Sequence, residues 1–135
     1  MNEQSELKRP RVLLADDHLA VLQRVTNLLQ SAFDVVGSAR TGREMVSQAM
    51  LLNPDVIVVD ISMPELSGIE AVHQLRRKGS TAKVVFLTIH SEDEFVQACF
   101  AEGALGYVVK VHMKTDLIPA INAVLSGRPF VSLTS

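Results

Sequence analysis

The strongest constraint on the fold is an alternation of short, continuous, valine-rich apolar runs with longer stretches of helical period. The runs are Val12–Ala15, Val35–Val36, Val56–Val59, Val84–Leu87 and Leu105–Val109. Apart from the weaker second run, they do not alternate polar with apolar residues, so they read as strands covered by helices on both faces. Amphipathic stripes follow each run. Val21, Leu22, Val25, Leu28 and Leu29 share one helical face; Val46, Ala49 and Met50 another; Ile69, Val72 and Leu75 a third. Phe95, Ala98, Cys99 and Phe100 form a fourth stripe, and Leu117, Ile118, Ile121, Val124 and Leu125 a fifth. Thr41-Gly42 precedes the second helix, Asn53-Pro54 ends it, and Gly103 and Gly106 bracket the turn into the fifth strand. Pro119 allows two readings: a fifth helix beginning near Thr115 with the proline in its opening turn, or an earlier start with a kink. Strict strand–helix alternation predicts an α/β fold, a doubly wound parallel five-stranded sheet with right-handed crossovers.

A chain of 135 residues is the size of one domain, large enough to fold without disulfides or a structural metal. The balance of 13 Lys+Arg against 15 Asp+Glu, net −2, speaks against a nucleic-acid or anionic-membrane surface. The single cysteine, Cys99, has no intramolecular partner, which suits a reducing compartment. No apolar run reaches the length of a signal peptide or a membrane span, so a soluble, cytoplasmic protein is expected.

Open parallel sheets place their sites outside the carboxyl ends of the strands. Asp16 and Asp17 stand at the end of the first strand, Asp60 at the third, Thr88 at the fourth and Lys110 at the fifth. Taken singly, each has a plain structural use. Asp16-Asp17 can cap the helix before Leu19, and a lone strand-end Thr or Lys is ordinarily solvated. Together, at successive strand ends, they form a chemical set. Clustered carboxylates repel unless a cation intervenes, and hard oxygen ligands without Cys suit Mg²⁺. A lysine and a hydroxyl suit phosphoryl oxygens, and a carboxylate in such a site is a nucleophile toward phosphorus.

The segments Val12-Leu13-Leu14-Ala15-Asp16-Asp17-His18, Asp60-Ile61-Ser62-Met63-Pro64-Glu65-Leu66-Ser67-Gly68, Phe86-Leu87-Thr88 and Gly103-Ala104-Leu105-Gly106-Tyr107-Val108-Val109-Lys110 resemble the receiver domain of two-component response regulators. The resemblance implies a flavodoxin-like (βα)5 sheet of order 2-1-3-4-5, an order the receiver of chemotaxis exemplifies. It implies Asp60 as phosphoacceptor. Asp17 and Asp60 would hold Mg²⁺ directly, with Asp16 acting mainly through water and the Ser62 carbonyl as a further ligand. Lys110 would pair with the acceptor carboxylate and then the phosphoryl oxygens. Thr88 would swing toward the phosphoryl group, and Tyr107 would turn inward behind it. Ile89 and Val111 depart from the commoner pattern of Ala or Ser and of Pro. With Leu87-Thr88-Ile89-His90 they are similar to the NarL/FixJ subfamily, whose output is a helix-turn-helix DNA-binding domain.

The resulting expectation is a receiver over residues 11–127, a flexible N-terminal tail over 1–10, and over 128–135 the start of a linker to an output domain absent from this chain. Its partner would be a sensor histidine kinase. The readout face would be the fourth helix, fifth strand and fifth helix, with His90, Glu92, Asp93, Glu94 and Gln97, supporting a homodimer. DNA would be reached only through the absent domain. A haloacid-dehalogenase-type phosphatase also uses Asp, Mg²⁺, Thr and Lys, but its Asp-x-Asp spacing is missing from Asp16-Asp17-His18. The expectation is therefore a switch and not an enzyme acting on other substrates. A stand-alone receiver is the alternative to one joined to an output domain, and a pseudo-receiver that is never phosphorylated is disfavoured by the full residue set.

Overall fold

The computed structural model describes residues 8–132, so residues 1–7 of the expected tail and 133–135 of the expected linker lie outside the described residues. In chain order the elements are β1 (Arg11–Ala15), α1 (Leu19–Leu29), β2 (Asp34–Ala39), α2 (Gly42–Leu52), β3 (Val56–Val59), α3 (Gly68–Arg77), β4 (Lys83–Thr88), α4 (Asp93–Ala101), β5 (Gly106–Val109), a 3₁₀ turn (Lys110–His112), α5 (Met113–Leu125) and β6 (Phe130–Val131). All neighbouring strands are parallel, in the order β2-β1-β3-β4-β5-β6. This is the expected doubly wound sheet with one strand more. The sixth strand is two residues long and falls in the segment expected to begin a linker.

The sheet separates two apolar layers, because successive strand side chains point to opposite faces. Leu13, Ile57, Val59, Phe86 and Tyr107 face α2, α3 and α4, where Met45, Val72, Leu75 and Cys99 meet them. Val12, Leu14, Val58, Leu87 and Val108 face α1 and α5, against Leu22, Val25, Leu29, Leu117 and Ile121. Each fully buried leucine or isoleucine contributes about 1.5–3 kcal/mol to this arrangement. Burial pushes the Cys99 thiol up to about 12, so the side chain stays a protonated core group.

Helix ends follow local chemistry. Thr41 and Ser67 cap α2 and α3 by accepting from the backbone N–H groups of Glu44 and Glu70. Asn53 closes α2 in the left-handed conformation, at φ 51°. The 3₁₀ turn delivers the chain into α5 at Met113, so Pro119 lies inside the helix and not in its opening turn. Its missing N–H leaves the Thr115 carbonyl without a helical partner. Among the described residues no peptide bond is cis and no helix is long and apolar enough to cross a membrane.

Candidate functional site

Parallel pairing brings the carboxyl ends of β1, β3, β4 and β5 to one edge, and the ladder continues one residue beyond the strands. The Asp16 N–H donates to the Ala39 carbonyl at 3.0 Å, and the Asp60 N–H to the Ala15 carbonyl at 2.9 Å. Both aspartates are therefore held by their backbones and are buried. The loop after Asp60 folds back on it. Gly68 N–H donates to the Ile61 carbonyl at 2.7 Å, and a Cβ at Gly68 would collide with the Asp60 carbonyl oxygen. Only glycine fits this close backbone approach.

Lys110, the first residue after β5, bridges the two buried acids. Its Nζ lies 2.7 Å from Asp16 Oδ2 and donates to Asp60 Oδ2 at 3.0 Å. Burial alone would depress the ammonium's proton affinity. The hydrogen bonds and charges of Asp16 and Asp60 outweigh it, and the pKa stands above the ordinary lysine value. One lysine cannot balance three carboxylates. Asp17 Oδ1 is shut off from solvent without a hydrogen-bond partner.

His18 sits between the neighbouring acids. Its Nδ1 is 3.1 Å from Asp16 Oδ1 and from Asp17 Oδ1, hydrogen-bonded to the former only, while its backbone N–H donates to Asp16 Oδ1 at 2.9 Å. Ligand atoms of Asp16, Asp17, His18 and Asp60 all lie within 4.8 Å of one another. A buried carboxylate oxygen lacking a donor, beside two other carboxylates, fits a hard divalent cation of the Mg²⁺ kind. The helix cap reading of Asp16-Asp17 is corrected here: His18 is the N-cap of α1, and no side chain caps it. Ser62 is exposed and its hydroxyl lies 3.3 Å from His90 Nε2. A roomier cavity of about 500 Å³ lies by Arg9, Arg11 and Phe33, far from this chemistry. Its guanidiniums already serve the carbonyls of Gln30, Leu52 and Asn53.

Thr88 and Tyr107 are both fully buried, and both are tied to His90. The His90 N–H donates to Thr88 Oγ1 at 3.3 Å, and the Tyr107 hydroxyl donates to the His90 carbonyl at 2.8 Å. Burial above all, reinforced by the neighbouring carboxylates of Glu92 and Asp60, raises the Tyr107 pKa, so the phenol remains a donor. The His90 ring stacks on Phe95 with centroids 4.3 Å apart and an angle of 24°. Sequence reasoning placed His90 on a readout surface and missed this joining role, because backbone groups do the joining. It also passed over His18, a lone histidine with no spacing signal. Ile89 and Val111 are largely exposed, at 73% and 81%, on the rim beside Thr88 and Lys110.

A six-stranded, doubly wound parallel sheet with an acidic cluster, a buried threonine and a lysine at its carboxyl edge defines a flavodoxin-like receiver fold. The chain belongs to the response regulator receiver domain family, whose model matches residues 12–122. It is 36% identical over 124 residues to the response regulator GacA of Pseudomonas viridiflava, covering 90% of this chain and 58% of that protein. The chain thus spans a little over half the length of that curated relative. Among solved structures it is similar to a LuxR-family two-component response regulator from Aurantimonas sp. SI85-9A1, at TM-score 0.88 and 31% identity, covering 93% of this chain and 91% of the other. The signal receiver domain of the putative response regulator NarL from Mycobacterium tuberculosis matches at TM-score 0.85 and 26% identity, covering 90% and 99%. These relationships agree with the NarL/FixJ-type resemblance of the sequence.

Proposed function

We propose that the chain is a phosphorylation-dependent switch in which Asp60 accepts a phosphoryl group from the phosphohistidine of a sensor histidine kinase. The observation that carries this reading is the bridge from Lys110 Nζ to Asp16 Oδ2 and Asp60 Oδ2, with the unpartnered Asp17 Oδ1 alongside. Asp17, Asp60 and the Ser62 carbonyl would hold Mg²⁺, with Asp16 acting mainly through water. When bound, the cation neutralises charge on the transferring group's oxygens.

The chain's own residues do the rest. The Asp60 carboxylate attacks phosphorus as the phosphohistidine P–N bond breaks. Lys110 pairs with the Asp60 carboxylate before transfer and moves onto a phosphoryl oxygen after it. Thr88 supplies its hydroxyl hydrogen to the same group, and its Oγ1, which accepts from the His90 N–H, carries that movement to His90. Tyr107 is bonded to that same residue, so the movement has a path toward α4. The only substrate turned over is the domain's own phosphoryl group.

The face formed by α4, β5 and α5, including Glu92, Asp93, Glu94 and Gln97, would carry the signal to a homodimer or an output domain. We assign DNA-binding transcriptional control to sequence beyond this chain, with the whole acting in the cytoplasm. The test is incubation with acetyl phosphate and Mg²⁺, followed by intact mass. Wild type gains one phosphoryl group and Asp60→Ala gains none; modification that persists in Asp60→Ala overturns the assignment.

A further inference from the structure

The short strand β6 is held by more than its two residues of pairing. After α5 the chain reverses through Gly127, at φ 79°, and the Arg128 N–H returns to the Ala123 carbonyl at 2.9 Å. Phe130 and Val131 then pair with Gly106 and Tyr107. Ser132 closes the strap. Its N–H donates to the Tyr107 carbonyl at 2.9 Å, its Oγ accepts the Val109 N–H at 3.2 Å, and its hydroxyl donates to Asp116 Oδ2 on α5 at 2.8 Å. Ser132 is 4% exposed, so this hydroxyl is a buried group with both its roles filled.

The residues it grips matter. Tyr107 carries the hydroxyl bonded to His90, and Val109 directly precedes Lys110, which holds Asp16 and Asp60. One side chain therefore links the end of β5, the first turn of α5 and the chain leaving the domain. Because a buried donor without a partner is costly, Val109 cannot shift far while Ser132 stays in place.

We propose that Ser132 and Asp116 form a clasp that resists charging of Asp60, and that charging in turn loosens β6 and Ser132. The proposal rests on the phosphoacceptor reading. In this reading, the shift of Lys110 onto a phosphoryl oxygen draws the end of β5 at Val109 with it, against the Ser132 bond. Coupling of this kind is reciprocal: whatever charging does to the strap, opening the strap does to charging. The clasp also covers the β5 edge, so the α4–β5–α5 face is read with the strap in place or after its release.

The test titrates the 135-residue chain with beryllofluoride and Mg²⁺ while following backbone amide signals and their hydrogen exchange. In wild type, saturation is expected to speed exchange at Phe130 and Ser132 at least threefold. Ser132→Ala is expected to speed exchange at Val109 and Phe130 at least tenfold and to lower the beryllofluoride midpoint at least threefold. Asp116→Ala should do the same, while Asp116→Asn, which keeps an acceptor oxygen, should stay near wild type. A strap opened by Ser132→Ala with an unchanged midpoint overturns the clasp, as does a charged wild type whose strap exchanges no faster. An unopened strap in Ser132→Ala overturns the hydroxyl's role. Absence of any saturable response at Asp60 and Lys110 in wild type removes the phosphoacceptor reading, and the clasp falls with it.

Discussion

Tyr107 and His90 are joined side chain to backbone, the phenol donating to the His90 carbonyl at 2.8 Å while the His90 N–H reaches back to Thr88 Oγ1 at 3.3 Å. The hydroxyl bond alone should be worth about 1 kcal/mol, the usual net value for one intramolecular hydrogen bond. Tyr107→Phe is expected to lose that amount in urea unfolding and to shift the His90 and Ile89 amide signals. Tyr107→Ala, which also empties a fully buried ring site, should lose about 3–5 kcal/mol. A phenylalanine variant as stable as the parent would remove the bond from the account.

Lys110 gives a pH signature with a defined sign. Its folded-state pKa is raised, so its stabilising effect is fully present below the ordinary lysine value of 10.5 and is lost as pH rises above it, through the raised value. Unfolding midpoints of wild type should therefore fall above about pH 10.5 by more than those of Lys110→Met. At neutral pH the methionine variant leaves Asp16 and Asp60 buried without a cation. Removing one partner of a buried pair costs about 3–5 kcal/mol, and partial access of solvent to the ammonium sets the expected loss at the lower end. Parallel pH curves for the two proteins would contradict the pairing.

Magnesium should stabilise the fold, since it satisfies the Asp17 oxygen that now lacks a partner. At a tenfold excess over its dissociation constant, one site adds about 1.4 kcal/mol. The rise in Tm with added Mg²⁺ should largely vanish in Asp17→Asn. Calorimetry showing equal rises in both proteins would place the ion elsewhere.

Gly68 offers a steric test of the site's shape. A methyl group there meets the Asp60 carbonyl oxygen, which is backbone and cannot step aside cheaply. Gly68→Ala is expected to lose about 1–3 kcal/mol, the range for overpacking. It should also disturb the Asp60 amide signal more than those in α5. Stability within error of wild type would show that the loop relaxes freely.

The four long-buried strands were legible because a strand covered on both faces has only apolar positions, and valine fills them with little else. The meeting of Asp16, Asp60 and Lys110 was legible for the same reason: parallel βα units leave their strand ends on one edge, where Thr88 also stands. Strand β2 was hard to bound. It lies at the sheet edge, with Asp34 and Ser38 exposed and Val35–Gly37 half-buried, and its pairing with β1 shifts register between Val12 and Leu13. Strand β6 left no signal, as two residues have no period and its hold comes from backbone pairing with β5 and from Ser132. His90 and His18 were missed as site neighbours because they act through backbone groups or as single rings.

The bridge of Lys110 to Asp16 and Asp60 also has a consequence in time. The acids follow the first and third strands, while among the described residues the ammonium that reaches them arrives with the end of β5. Until β5 is made, Asp16 and Asp60 therefore lack their lysine. The charge arrangement is thus completed at nearly the same moment as the fold, so a half-made domain holds its acids without the ammonium that pairs them.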